Sequence, residues 1–183
     1  MATVSVVWRR LDVPGHDVCR VDRQGSGWRL EGAAAFIADD LPAMLCYTLD
    51  CDRDWRTVAG HVSGWRHDVA IDVQIIRTSR GEWSMNGEHV AGVDGLEDLD
   101  FGFTPATNLT QLRRLSLTLG QTAELTVAWL DVFAGTLAPL GQHYQRLSEK
   151  VYAYEAPAFG YAEELEVDPV GFVVRYPRLW EAE

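Results

Sequence analysis

Long apolar runs are missing from this chain. No stretch approaches the roughly 20 residues that a membrane-crossing helix needs, so no integral membrane segment is expected. Cysteine is scarce and odd in number. The three residues, Cys19, Cys46 and Cys51, contain no Cys-x-x-Cys pair. That spacing argues against a disulfide framework or zinc knuckle and for simple buried thiols. No lysine- or arginine-rich run occurs, and the formal net charge is −11. Nucleic acid and electrostatic docking on anionic lipid headgroups are both disfavoured by that balance. Phosphate-cradling glycine loops are absent. The segment Met1 to Leu11 alternates and carries Arg9 and Arg10 after its apolar residues, unlike a secretory leader, so a cytoplasmic location is expected. With no composition break or linker, residues 1–183 read as one domain with a substantial core, expected as a monomer or small homo-oligomer.

What the chain has in quantity is period-two alternation. Val4, Val6 and Trp8 alternate with Thr3, Ser5 and Val7, and Val69, Ile71, Val73 and Ile75 with Asp68, Ala70, Asp72 and Gln74. Leu125, Val127 and Trp129 repeat the pattern, as do Val170, Phe172, Val174 and Tyr176. Half-buried antiparallel strands have this signature. Turn residues divide them: Gly25-Ser26-Gly27, Asn86-Gly87, Gly120-Gln121-Thr122 and Asp168-Pro169-Val170-Gly171. Helical spacing is scarce. Asp39–Leu45 is expected to hold one turn, and Pro139–Lys150 a short helix on the spacing of Leu140, Tyr144 and Leu147. The reading is all-β, roughly ten strands with one or two short helices. Such a sheet must curl, close or stack to bury a face, and a curled sheet leaves a concave interior.

Several motifs imitate known chemistry and fail on spacing. Asp50-x-Asp52-x-Asp54 opens like a calcium loop, but Trp55 stands where the glycine belongs and His61 where the glutamate belongs. Gly60-His61-Val62-Ser63-Gly64 misses the nucleophile-elbow spacing. His61 and His67 fit no zinc motif, and the other histidines are scattered. Neither a metal nor a cofactor is expected. Asp98 and Asp100 share one strand face, which suits an acid–base pair, but with no partner nucleophile or defined pocket a place at a loop rim is the favoured reading.

The stretch Asp98–Leu115 is the most informative. Read as a loop feeding a strand, it places Arg113 on the face of Leu115, Leu117 and Leu119, and Arg114 on the face of Leu112, Ser116 and Thr118. A guanidinium at the mouth of an apolar face is either a snorkelling side chain at a strand end or an anion or sugar contact at a cavity rim. Tryptophans and tyrosines are spread over many strands and can line such a cavity with an apolar wall and a polar tip. Tyr152 and Tyr154 fall on one strand face.

Together these residues resemble the bacterial "putative glycolipid-binding" family, formerly a domain of unknown function. The resemblance rests on Asp98, Asp100, Thr104, Pro105, Thr107, Asn108, Arg113, Arg114 and Leu115. Trp55-Arg56-Thr57, Gln142-x-Tyr144-x-Arg146 and the ending from Val167-Asp168 through Gly171 and Tyr176-Pro177 to Leu179-Trp180 also match. One departure is Thr110-Gln111-Leu112, where family members usually have Leu-Pro-Ile. Losing that proline restores a backbone donor and loosens the expected entry to a strand. The resemblance implies a partly open β-barrel similar to bacterial lipoprotein carriers, with an apolar cavity and no catalytic residue.

The leading expectation is a non-enzymatic protein that binds a hydrophobic or amphipathic small molecule, a lipid or glycolipid. Arg113, Arg56 and Tyr144 would hold a polar or anionic head at the rim, with Trp55, Asn108, Tyr152 and Tyr154 as further contacts. Two alternatives stand beside it. One is an enzyme using Asp98, Asp100 or a histidine on a small hydrophobic substrate. The other is an interaction module presenting a strand edge or aromatic patch.

Overall fold

The alternation builds a single curled sheet. The computed structural model describes residues 3–183; Met1 and Ala2, the start of the N-terminal segment read above, lie outside the described residues. The first strands are β1 (Val4–Arg10), β2 (Gly15–Gln24), β3 (Gly27–Ala38), β4 (Leu41–Cys51), β5 (Thr57–Arg66) and β6 (Val69–Arg77). The short strands β7 (Trp83–Met85), β8 (Glu88–His89) and β9 (Leu99–Phe101) follow, then helix α1 (Asn108–Leu115). The chain ends with β10 (Thr122–Asp131), β11 (Thr136–Arg146), β12 (Val151–Ala156), β13 (Tyr161–Val167), β14 (Val173–Tyr176) and β15 (Trp180–Ala182). The spatial order is β8-β7-β6-β5-β4-β3-β2-β1-β15-β14-β13-β12-β11-β10-β9. From β1 to β8 and from β10 to β15 consecutive strands therefore pair antiparallel, β15 closes on β1, and β9, at the opposite end of the order from β8, lies parallel to β10.

Side-chain period sets the inside of the curl. Asp17, Cys19 and Val21 of β2 are buried while His16, Val18 and Arg20 are exposed. Cys19, Gly32, Tyr47, Val62 and Val73 then lie opposite one another across five strands, giving one continuous inner row. Tight turns hold the register. Asp39 and Asp40 (φ 48° and 62°) link β3 to β4, and Asn86 and Gly87 (φ 51° and 84°) link β7 to β8. Two positive-φ residues in a row are what a two-residue hairpin requires.

The short strand β9 is folded back into the curl and divides it. The backbone N–H of Leu99 donates to Thr57 Oγ1 at 2.9 Å, and that of Thr57 to the Glu97 carbonyl at 2.9 Å. Gly60 makes room for this crossing, because a Cβ there would sit 2.4 Å from Leu99 Cδ2. Leu99 and Phe101 join the larger apolar cluster with Trp8, Leu30, Leu45 and Tyr47. A second cluster, with Tyr144, Tyr152, Tyr154, Leu165 and Val173, lies in the C-terminal half. Val127 and Ala128, adjacent in β10, are both fully buried because the strand has a core on each side.

Four expectations are corrected. Asn108–Leu115 is an α-helix, not the start of a strand. Leu109 and Leu112 are buried, and Ser116 (φ 46°) ends the helix by donating its N–H to the Leu112 carbonyl at 3.0 Å. Gly120-Gln121-Thr122 accordingly leads from this helix into β10 and does not join two strands. Pro139–Arg146 belongs to strand β11, and Asp39–Leu45 is the hairpin turn and the start of β4. The spacing Leu140–Tyr144 is four residues, which is one helical turn and also two strand repeats. Buried Gln142 between them reveals the strand.

Candidate functional site

Strand β9 and the residue before it carry two aspartates with different fates. Asp98, 1% exposed, is gripped by Arg114, whose Nε donates to Oδ1 at 2.9 Å and whose Nη2 also bonds Oδ2. Nη1 of Arg114 reaches Glu97 at 2.7 Å, and Arg56 Nε meets the other oxygen of Glu97 at 2.6 Å. Arg56–Glu97–Arg114–Asp98 is therefore one chain of alternating charge, and hydrogen bonding to Arg56 keeps the Glu97 carboxyl below its ordinary range. Burial nonetheless raises the Asp98 carboxyl above its usual value despite Arg114.

Asp100 has neutral partners. Gln142 Nε2 donates to it at 2.6 Å, Gln111 Nε2 at 3.3 Å and Thr107 Oγ1 at 3.3 Å. Desolvation raises its pKa, an effect these donors only moderate. Beside it, Asn108 Nδ2 donates to Tyr144 Oη at 2.7 Å, and the Tyr144 hydroxyl donates to Gln111 Oε1 at 2.7 Å. Gln111 thus joins both arrays. Gln142 Oε1 is buried without a partner among the described residues. Tyr144→Phe would leave the Asn108 donor and the Gln111 acceptor unpaired in a dry setting. We expect a loss of about 1–3 kcal/mol in urea denaturation; an unchanged midpoint would mean that water already satisfies both groups.

This polar layer floors a cavity of about 370 Å³ within the C-terminal half. Asp100, Thr104 and Asn108 supply polar groups, while Trp129, Leu140, Tyr154, Phe159, Tyr161, Tyr176 and Trp180 form the wall. The rings pack on one another, with centroids 5.7 Å apart for Tyr154–Tyr176, 5.2 Å for Tyr161–Tyr176 and 5.2 Å for Trp129–Phe159. Phe159, 57% exposed, stands at the mouth. Among the described lining residues Asp100 is the one carboxylate and no histidine is present. Asp98, its candidate partner for acid–base work, is tied to Arg114.

The structure brings Asn108, Tyr144 and Tyr154 together here: Asn108 and Tyr154 line the cavity, and Tyr144 packs 4.8 Å from Tyr154 behind it. The other residues singled out from sequence lie elsewhere. Arg113 sits in the last turn of α1 beside a smaller cleft with Tyr152, Arg146, Asp168 and Gly171. Arg56 belongs to the ion-pair chain, and Trp55 stacks on Trp28 at 4.5 Å. Sequence reasoning did not select Trp129, Phe159, Tyr161, Tyr176, Trp180 or Asp100 as ligand contacts. All but Phe159, which lies in the turn Pro157–Phe159, are on strands, and alternation does not tell which part of an inner face stays unfilled.

A family model described as "Putative glycolipid-binding" matches residues 5–182. Two solved structures are similar. One, a DUF1089 family protein from Pseudomonas aeruginosa, is 24% identical with a TM-score of 0.76, covering 99% of this chain and 92% of its own. The other, a beta-barrel-like protein of domain of unknown function DUF1849 from Brucella abortus, is 9% identical with a TM-score of 0.53, covering 98% and 93%. No curated protein matches the chain. Among the described residues no helix is long and apolar enough to cross a membrane.

Proposed function

The chain belongs to the family described as "Putative glycolipid-binding", and on that premise we propose that it binds an amphipathic small molecule in the aromatic cavity of its C-terminal half, without transforming it. The observation that carries this reading is the cavity itself: about 370 Å³, with mostly apolar and aromatic walls and a few convergent polar groups at its floor. That volume lies toward the lower end for ligand sites, which suits a short stretch of acyl chain or one ring and not a whole lipid. Asp100, Thr104 and Asn108 are hydrogen-bonding groups fixed in place by buried partners, so they are pre-organised to orient whatever enters. Supporting a binding role over a catalytic one, Asp100 has no second titratable acid or histidine beside it among the lining residues.

Titration with n-alkanols from C6 to C12 tests the reading. Burying each methylene supplies about 0.8 kcal/mol, so affinity should rise about fourfold per carbon until the cavity is full. Trp129→Ala should flatten that series, because the indole forms part of the wall. Absence of binding across the whole series would sink the proposal.

A further inference from the structure

A smaller cleft of about 160 Å³ lies apart from the aromatic cavity and shares no lining residue with it. Helix α1 contributes Arg113 and Ser116 to this cleft, β11 contributes Arg146, and residues 168–171 line it as well. Two half-buried guanidiniums therefore face one small space. Most arginines of this acidic chain pair with a carboxylate, as Arg29 does with Asp50 and Arg114 with Asp98. Among the described residues Arg113 and Arg146 pair with none. A partly desolvated cation without a counter-charge is costly, so two of them in one cleft call for a third group.

The two cations are held differently. Arg146 donates to backbone carbonyls, from Nε to Ser148 at 3.2 Å, from Nη1 to Leu117 at 2.8 Å and from Nη2 to Glu149 at 3.3 Å. Its guanidinium also lies 5.7 Å from the centre of the Tyr152 ring. Those contacts fix the plane of the fork, yet leave its charge unneutralised and a second N–H free on each terminal nitrogen. Arg113 donates no hydrogen bond among the described residues. Its Nε lies over Gly171 (φ 104°), 3.6 Å from where a Cβ would stand. Two carboxylates border the cleft, and neither pairs with these arginines. Asp168 Oδ1 accepts from the N–H groups of Gly171 at 2.7 Å and Phe172 at 2.9 Å, which ties it to its own turn. Glu149 is exposed. One fork held rigid and one left free suit a compact ion that carries several oxygens. The volume is below the roughly 300 Å³ at which small-molecule sites begin, which excludes a ligand with a large apolar body.

We propose that this cleft binds a small, doubly charged oxyanion of the phosphate type between Arg113 and Arg146, at a site separate from the aromatic cavity. The site does not depend on what the aromatic cavity holds. Titration with sodium phosphate at pH 7.5, against sodium chloride at equal ionic strength, tests it by nuclear magnetic resonance. Phosphate should shift the Nε–H resonances of Arg113 and Arg146 and the backbone amide of Gly171, and leave the indole N–H of Trp129 in place. Arg113→Ala should weaken phosphate binding about tenfold, the worth of one charge-assisted hydrogen bond. Arg113→Lys keeps the charge without the fork and should recover part of that loss. Glu149→Gln should tighten binding, because its carboxylate borders the same cleft and repels the ion. Glycerol phosphate separates the two sources of such a group: tighter binding than phosphate assigns the site to an esterified head, equal or weaker binding to the free ion. Shifts no larger than those from chloride, shifts at Trp129 instead, unchanged affinity in Arg113→Ala, or weaker binding in Glu149→Gln would each overturn the proposal. None of these outcomes touches the alkanol series, which reports on the other cavity alone.

Discussion

Arg114→Ala is expected to destabilise the protein by about 3–5 kcal/mol, the cost of leaving a buried charge without its partner. Asp98 is almost wholly buried and Arg114 is 17% exposed at its side chain, so solvent screens little of their interaction. The guanidinium contributes three hydrogen bonds to this carboxylate and one to Glu97. Arg114→Lys keeps the charge but cannot reproduce that fork, and should recover only part of the loss. The double variant Asp98→Asn/Arg114→Ala should lose less than Arg114→Ala alone, because no ionised group then remains stranded. Arg113→Ala is the control: Arg113 itself makes no ion pair among the described residues, so its loss should stay near 0.5 kcal/mol, as at an ordinary surface site. Guanidinium denaturation reads all four. A loss below about 1 kcal/mol for Arg114→Ala would mean that Asp98 is hydrated or protonated and that the pair does not anchor the helix.

That contrast between adjacent arginines shows what was legible in the chain. Alternation specified the strands, and the sheet class followed from them, because period two places side chains on faces whatever the tertiary context. It failed at Asn108–Leu115. There Leu109, Leu112 and Leu115 recur every three residues and basic residues fill the last turn, a helical signature that a reading begun at Arg113 overlooks. With the strand went the faces assigned to the two arginines: Arg114 is held by Asp98 and Glu97, and Arg113 lies beside the smaller cleft. Asn108 and Tyr144 were singled out through the family resemblance and Tyr154 through the strand face it shares with Tyr152, and the fold sets the three side by side. Trp129 and Phe159 were not. Their importance depends on Gly102 opposite one and the short Pro157–Phe159 turn presenting the other, contacts between segments far apart in sequence.

Stability should also fall as the pH rises from 5 to 8, and Asp17 is the residue that makes it fall. Its carboxyl is 1% exposed and accepts from two hydroxyls, Tyr47 Oη at 3.0 and 3.1 Å and, in a short contact, Thr104 Oγ1. No cation pairs with it among the described residues, and burial pushes its pKa up to about 7 against those hydrogen bonds. The sign follows from proton counting. Between the ordinary carboxyl range and pH 7 the folded protein holds a proton that the unfolded chain has released, so raising the pH in that window favours unfolding. At pH 5 the folded carboxyl is almost fully protonated and at pH 8 mostly ionised. Two pH units of uncompensated release correspond to about 2.7 kcal/mol at 1.36 kcal/mol each. Asp98 and Asp100, also raised by burial, tilt the profile in the same direction. Asp17→Asn isolates the share of Asp17, since the amide keeps an acceptor toward Tyr47 but cannot titrate. Urea denaturation of both proteins at pH 5, 6, 7 and 8 should show the variant losing about 2–3 kcal/mol less across the range. Parallel profiles would mean that Asp17 stays ionised throughout, held by Tyr47 and Thr104 strongly enough to offset its desolvation. A carboxylate so held would be a fixed charge in the core of the N-terminal half, and its removal would then lower stability equally at every pH.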